Sequence, residues 1–146
     1  MSKLSKLAGL GAADWYCLLW AALALPVVDI ILRSRGVASA RRWAMVPLGK
    51  AGEAQATEKA MRWGWLINGA ASSGLYRVSC LRRSLVLLRY MRRHGLVGEL
   101  KVGVPRGGEL APDLFEAHAW VELDGVVVND VAEVSARYVC FELPRA

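Results

Sequence analysis

The sequence predicts an α+β fold in which helices come first along the chain and an antiparallel sheet follows. Helical spacing of apolar residues or helix-forming composition marks three early segments, whereas the last third alternates with the period of two that is typical of strands. The chain has 146 residues, of which 55% are hydrophobic. This length and composition suffice for one domain with its own core. The three helical segments are residues 15–32, 53–66 and 79–95.

Charge and cysteine content narrow the class of protein. The net charge of +6 favours anionic partners, but the chain lacks aromatic-basic and zinc-finger patterns, so we expect no nucleic-acid partner. Two histidines and three cysteines make a structural zinc site improbable, and we expect no cofactor. Three widely spaced cysteines argue against a disulfide scaffold and predict a reducing, cytoplasmic compartment.

The first helical segment contains an uncharged apolar run over residues 15–28. This run is shorter than the roughly 20 residues that span a membrane, so we expect a helix packed on the domain. Two alternatives stay open. One is a signal peptide with Lys3 and Lys6 as its basic start and Ala22-Leu23-Ala24 as its cleavage site. The other is a helix that binds another surface, of which membrane contact is the less favoured form.

The second helical segment covers residues 53–66 and rests on composition. It contains good helix formers, with Ala60, Met61 and Trp65 among its apolar contacts. The small residues of segment 70–74 predict a break after it. We therefore place the boundary there, between a helical N-terminal region (residues 1–72) and a core domain (residues 73–146).

The third segment, residues 79–95, is predicted as a helix that begins with a cysteine. Ser79 is a good N-cap and Gly95 a natural terminator. Cys80 then lies in the first turn, where unpaired N–H groups and the helix dipole favour a thiolate. The alternative is a small buried apolar residue, which is the usual role of a free cysteine. Cys17 and Cys140 lack such a setting, and we expect them in the core.

The C-terminal third reads as strands joined by a hairpin. Residues 100–104 and 115–123 alternate between apolar and polar side chains, and Asp124-Gly125 signals a tight turn before residue 126. We predict a three-residue loop, residues 123–125, which places His118 directly opposite Asp130 on one face. A two-residue turn would instead pair His118 with Val131.

Cys80, His118 and Asp130 together form a candidate catalytic set. A histidine base that is oriented by a third group activates a nearby thiol for nucleophilic attack. Each residue alone is more often structural than catalytic. The order of a cysteine at a helix N-terminus, a histidine on a strand and an aspartate on the next strand is more specific.

Three sequence motifs resemble the lasso peptide biosynthesis B2 proteins. They are Ser-Cys-Leu-Arg-Arg-Ser at 79–84, Phe-Glu-Ala-His-Ala-Trp-Val-Glu at 115–122 and Asn-Asp at 129–130. The resemblance covers residues 76–130. It implies a transglutaminase-like (papain-like) core and a leader peptidase with a Cys-His-Asp triad at Cys80, His118 and Asp130.

The resemblance also implies partners. A separate B1-type protein would bind the leader of the precursor peptide and deliver it, and a separate ATP-dependent cyclase would close the ring on the freed core peptide. The chain itself contains no phosphate-binding loop, so we assign no ATP to it.

Two other functions stay open on the same residues. One is a transglutaminase-like acyltransferase or amidase that uses the same triad, because a fold alone does not fix a function. The other is a non-catalytic module that binds a peptide or protein. For an oxyanion hole, the backbone N–H of Cys80 is one expected donor, and Trp120 and Tyr76 are candidates for the second.

Overall fold

The protein consists of helices followed by a four-stranded sheet. A computed structural model describes residues 9–50, 54–73, 78–107 and 117–142. In this part of the chain the elements are α1 (Ala12–Ala44), α2 (Ala56–Ser72), α3 (Cys80–Arg93), β1 (Glu99–Pro105), β2 (His118–Leu123), β3 (Val126–Val127), α4 (Val134–Arg137) and β4 (Tyr138–Phe141). The antiparallel sheet has the strand order β3-β2-β1-β4. The α+β prediction is confirmed.

The three long helices and one face of the sheet share a hydrophobic core. α3 is the centre of this core, since its residues from Ser84 to Leu88 are all buried, and Val121 and Leu123 of β2 pack in the same cluster. A smaller cluster around Trp120 lies on the other face of the sheet. α2 continues to Ser72, so the break that we predicted at residue 70 begins later. Gly74 lies outside the described residues.

Helix α1 is apolar on two opposite faces. Its start is capped by Asp14, whose carboxylate accepts a hydrogen bond from the N–H of Gly11 at 3.2 Å, and Gly36 interrupts it with φ of 77°. One face is buried in the core, as expected for a helix packed on the domain. The other face is exposed and carries Trp15, Tyr16, Leu19, Leu23, Val27 and Ile30.

The composition of α1 also meets the criteria for a membrane-spanning helix. The mean hydropathy of an 18-residue window in it is 2.0. The core helix of a soluble protein and a signal sequence meet the same criteria. The alternatives given above for this segment therefore stay open.

Asp29 links α1 to the first turn of α3. Its carboxylate pairs with Arg33 at 2.9 Å and with Arg82 of α3 at 2.5 Å. Arg82 also donates a hydrogen bond from Nη1 to Ser79 Oγ at 3.0 Å. Desolvation alone would raise the pKa of Asp29, but the two guanidinium groups hold this pKa below its usual value. The helix end that carries Cys80 is thus tied to α1 by charge.

This ion pair predicts a pH-dependent effect of Asp29→Asn. Because the folded-state pKa of Asp29 is depressed, its stabilisation is present above the unfolded pKa of about 3.9 and is lost as the pH falls through the lower folded value. Asp29→Asn should therefore lower the free energy of unfolding at pH 7, and this difference should shrink below about pH 4. Urea unfolding of both proteins across this range measures it. A difference that does not change with pH would contradict the assignment.

The β2–β3 hairpin differs from the prediction. Leu123 pairs with Val126 and Glu122 with Val127, so the turn contains two residues. Asp124 has φ of 50° and Gly125 has φ of 80°. Two positive values are typical of a type I′ turn, whose twist matches that of the strands and which aspartate and glycine both tolerate. The predicted three-residue loop is therefore wrong.

Candidate active site

Cys80 is the first residue of α3, as predicted. Ser79 caps the helix, because its Oγ accepts a hydrogen bond from the N–H of Arg82 at 3.4 Å. All three cysteines are free. Burial, opposed by a hydrogen bond with Tyr90, raises the pKa of Cys17 to about 11, so Cys17 stays a neutral core thiol.

The other two cysteines differ from Cys17 in their exposure. Cys80 is partly buried, whereas Cys140 is exposed. Cys140 lies on β4, which is an outer strand of the sheet among the described residues. The prediction that Cys140 belongs to the core is therefore wrong, because an outer strand leaves part of its surface uncovered.

The direction of α3 on the sheet places Cys80 toward the His118 end of β2. One turn after Cys80, Ser84 donates a hydrogen bond from Oγ to the carbonyl oxygen of Ala119 at 3.1 Å. Three turns after Cys80, the side chain of Met91 lies beside Gly98, as does that of Val121. α3 and β2 therefore run in the same direction. The first turn of α3 lies at the end of the sheet where β2 begins.

His118 and Asp130 are in contact. Nε2 of His118 bonds to Oδ2 of Asp130, and the other carboxylate oxygen accepts a hydrogen bond from the N–H of Val131 at 2.7 Å. The imidazole lies beside the ring of Tyr138, with 5.1 Å between the ring centroids. Its side chain and that of Asp130 are each 25% exposed, so both can be reached from solvent. Because Nε2 of His118 bonds to the carboxylate, Nδ1 is the ring nitrogen that can exchange a proton with a reacting group.

The contact forms although the hairpin register alone would prevent it. In the observed register Asp130 would lie opposite Ala119, whose side chain points to the α3 side of the sheet, away from His118. However, the chain leaves the ladder after Val128, whose N–H still bonds to the carbonyl of Val121 at 3.0 Å. Asp130, two residues after Val128, reaches His118, which lies three residues before Val121, so the segment after Val128 is one residue shorter than the part of β2 that it follows. The offset of one residue that brings Asp130 to His118 therefore arises after Val128 and not in the turn.

The arrangement supplies the groups that acyl transfer needs. The thiol and the imidazole lie toward the same end of the sheet but not on one face, because α3 packs on the Ala119 side of β2, whereas the ring of His118, which the carboxylate orients, lies with Trp120 and Tyr138 on the other side. The described residues show no hydrogen bond between the Cys80 thiol and His118, and catalytic hydrogen bonds often tighten only when substrate binds. Within the described ranges, no group of three or more His, Cys, Asp or Glu side chains could hold a metal ion.

Comparison with known proteins decides the family. A family model described as the Transglutaminase-like superfamily matches residues 22–141, more than half of the chain. The chain belongs to the Transglutaminase-like superfamily. No curated protein and no solved structure matches it significantly.

Membership in the Transglutaminase-like superfamily fits the observed fold. This superfamily is typically enzymatic and includes cysteine peptidases and acyltransferases. The matched range contains Cys80, His118 and Asp130, and it also contains α2 and more than half of α1. The prediction of a transglutaminase-like core, with helices packed on an antiparallel sheet, is confirmed at this level.

One candidate oxyanion donor is occupied in this transglutaminase-like domain. The indole N–H of Trp120 donates a hydrogen bond to Oε1 of Glu122 at 2.8 Å, and the side chain is fully buried beside Val127 and Val134. Trp120 therefore serves as a core residue, and its expected role as a donor is not supported. Tyr76 lies outside the described residues.

The sequence analysis missed the residues that hold Asp130 in place. Asn68 of α2 donates a hydrogen bond from Nδ2 to the carbonyl oxygen of Asn129 at 3.0 Å. Gly64, one turn earlier, lies against the carbonyl group of Val128. These contacts join parts of the chain that are about 60 residues apart, so no local spacing predicts them. The only signal was the Asn129-Asp130 motif itself.

Proposed function

We propose that the protein is a cytoplasmic cysteine peptidase that removes the leader from a lasso peptide precursor. The observation that carries the proposal is the contact between His118 and Asp130 at the end of the sheet toward which the Cys80 turn of α3 is placed. The superfamily supports cysteine chemistry. The three motifs that resemble B2 proteins support the choice of substrate.

In the proposed mechanism Cys80 is the nucleophile. Its thiolate attacks the scissile carbonyl carbon, and a tetrahedral intermediate forms whose oxyanion the backbone N–H of Cys80 stabilises. His118 protonates the leaving amine of the core peptide through Nδ1, while Asp130 holds the proton on Nε2 and fixes the ring. Water then attacks the thioester with His118 as the base, which releases the leader acid and restores the thiol.

The proposal includes partners and no cofactor. A B1-type protein would bind the precursor leader and bring the cleavage site to Cys80, and the lasso cyclase would act on the freed core peptide as a separate enzyme. The imidazole and the carboxylate are each 25% exposed, which gives a peptide access to them.

A transglutaminase-like acyltransferase or amidase is the second candidate, because the superfamily also contains acyltransferases. It would share the thioester step but pass the acyl group to an amine or act on a side-chain amide. A module that only binds a peptide is the third candidate, and it would leave the precursor intact.

The test is reconstitution of the purified chain with a candidate precursor, with and without a B1-type protein, followed by mass spectrometry. We expect two fragments whose masses sum to that of the precursor plus one water, formed slowly until the B1-type protein is added. Equal rates without that protein would contradict the split system. Transfer of the acyl group to added amine would favour the acyltransferase, and an intact precursor under both conditions would contradict the peptidase.

A further inference from the structure

We propose that Asn129 is the positioning residue that carries Asp130 to His118. The part of this inference that concerns catalysis rests on the proposed function. The positioning of Asp130 is argued from the contacts of Asn129 alone. Asn129 lies immediately before Asp130, where the chain leaves the β2–β3 ladder. It contacts the strand of His118, the helix of Cys80 and helix α2.

The side chain of Asn129 replaces a backbone partner in the sheet. In a hydrogen-bonded antiparallel pair, each residue donates its N–H to the carbonyl of the other. Val128 donates to the carbonyl of Val121, but the N–H of Val121 does not bond back to Val128. It donates instead to Oδ1 of Asn129 at 2.8 Å. The amide of Asn129 thus completes the ladder while the main chain turns away.

The same amide binds the helix that begins with Cys80. Its Nδ2 donates a hydrogen bond to Oγ of Ser84 at 3.0 Å. Because the Ser84 hydroxyl donates its own proton to the carbonyl of Ala119 at 3.1 Å, its oxygen must accept from a neighbour. Ser84 is fully buried, so loss of this donor would leave a buried lone pair unsatisfied. An amide supplies the acceptor and the donor that this position requires.

The main chain of Asn129 is held from the opposite side by α2. The carbonyl of Asn129 accepts the hydrogen bond from Asn68, and Val128 packs on Gly64. The residue before Asp130 is therefore fixed by its side chain to β2 and α3 and by its backbone to α2. Asp130 has little freedom to leave His118 while these bonds hold.

The two histidines allow a direct test, because they should carry their protons on different nitrogens. His94 bonds through Nδ1 to the carbonyl of Tyr90 at 2.8 Å, and a carbonyl only accepts, so His94 is protonated on Nδ1. His118 faces a carboxylate with Nε2, so its proton lies on Nε2 in the neutral ring. Long-range ¹H–¹⁵N NMR correlations of the full-length protein above pH 8 distinguish the two tautomers.

The variants are Asn129→Ala and Asn129→Asp. In Asn129→Ala we expect His118 to lose the ¹H–¹⁵N correlation pattern of one tautomer protonated on Nε2. The Nδ1–H correlation pattern of His94 should stay unchanged and serves as the internal control. Asn129→Asp keeps the acceptor for the N–H of Val121, and the Ser84 hydroxyl can rotate to donate to the new carboxylate in place of the lost amide donor, so this variant should keep the His118 pattern. An unchanged His118 pattern in Asn129→Ala would overturn the proposal. If Asn129→Ala also loses the His94 pattern, the variant has changed its fold and Asn129→Asp decides. Loss of the His118 pattern in Asn129→Asp, with the His94 pattern unchanged, would also overturn the proposal.

Alkylation by iodoacetamide at pH 6 connects this geometry to the proposed function. The rate at Cys80 is measured by peptide mass spectrometry, with the exposed Cys140 as the internal standard. We expect Asn129→Ala to lower the Cys80 rate by roughly tenfold, toward that of His118→Ala. If His118→Ala leaves the wild-type rate unchanged, the proposed thiol chemistry fails, whereas the NMR result still decides the role of Asn129.

Discussion

The Cys80→Ala variant should lose leader cleavage while it keeps the wild-type fold. In the proposed mechanism the thiol of Cys80 forms the covalent intermediate. The other described thiol in this part of the sheet, Cys140, lies across Gly103 from His118 on β4 and has no helix N-terminus beside it. Removal of the nucleophile from a triad costs on the order of 10⁴-fold or more in rate. The loss of one sulfur atom from a partly buried side chain should change the free energy of unfolding by only about 1 kcal/mol. Cleavage is measured by mass spectrometry and stability by urea unfolding.

Cys140→Ala is the matched control for this prediction. Cys140 is exposed on β4, so its variant should cleave the precursor at the wild-type rate. His118→Ala should resemble Cys80→Ala, since the thiol then lacks its base and the leaving amine lacks its acid. Undiminished cleavage by Cys80→Ala would end the cysteine mechanism.

The elements that the sequence predicts well have signals within a few residues of one another. α3 shows this clearly, because a serine cap, a helical pattern of apolar residues and a terminal glycine all lie within one segment. The structure begins the helix at Cys80 and gives Gly95 a φ of 79°. The two sites that matter most for chemistry, the first turn of α3 and the start of β2, were therefore predictable.

The position of Asp130 relative to β2 is a feature that local sequence patterns do not predict. The contact between His118 and Asp130 was predicted from a three-residue loop that does not form, and it arises instead from the departure of the chain at Val128 and Asn129. The segment that departs contacts α2, which is distant in sequence. A tight turn and a longer loop differ by one residue, and the choice between them alone does not determine where Asp130 lies.

Cys140 illustrates a second limit of the same kind. We expected Cys140 in the core because it lacks the helix N-terminal setting of Cys80, but its strand lies at the edge of the sheet, where Cys140 and its neighbours Val139 and Phe141 are exposed. Strand order is set by pairing between distant segments. The exposure of a single residue on a strand therefore depends on the position of that strand in the sheet, which the neighbouring residues in the sequence do not determine.

Gly64→Ala should destabilise the protein and displace Asp130. A methyl group at this position would overlap the carbonyl oxygen of Val128 and come within 3.1 Å of Cα of Asn129. Both contacts are backbone atoms, which cannot rotate away as a side chain can. Such overpacking typically costs about 1–3 kcal/mol. Because the displaced segment leads directly into Asp130, we expect leader cleavage to fall more than the loss of folded protein explains.

Gly69→Ala on the same helix is the matched control, and it should have the opposite sign. A methyl group there meets nothing within 4 Å, and alanine in a helix is favoured over glycine by about 0.5–1 kcal/mol. Urea unfolding should thus show Gly69→Ala to be at least as stable as wild type and Gly64→Ala to be less stable. Equal stability of the two variants would mean that α2 does not hold the 128–129 segment. The aspartate would then owe its place to the sheet alone, and the account of how three distant segments assemble this site would fail.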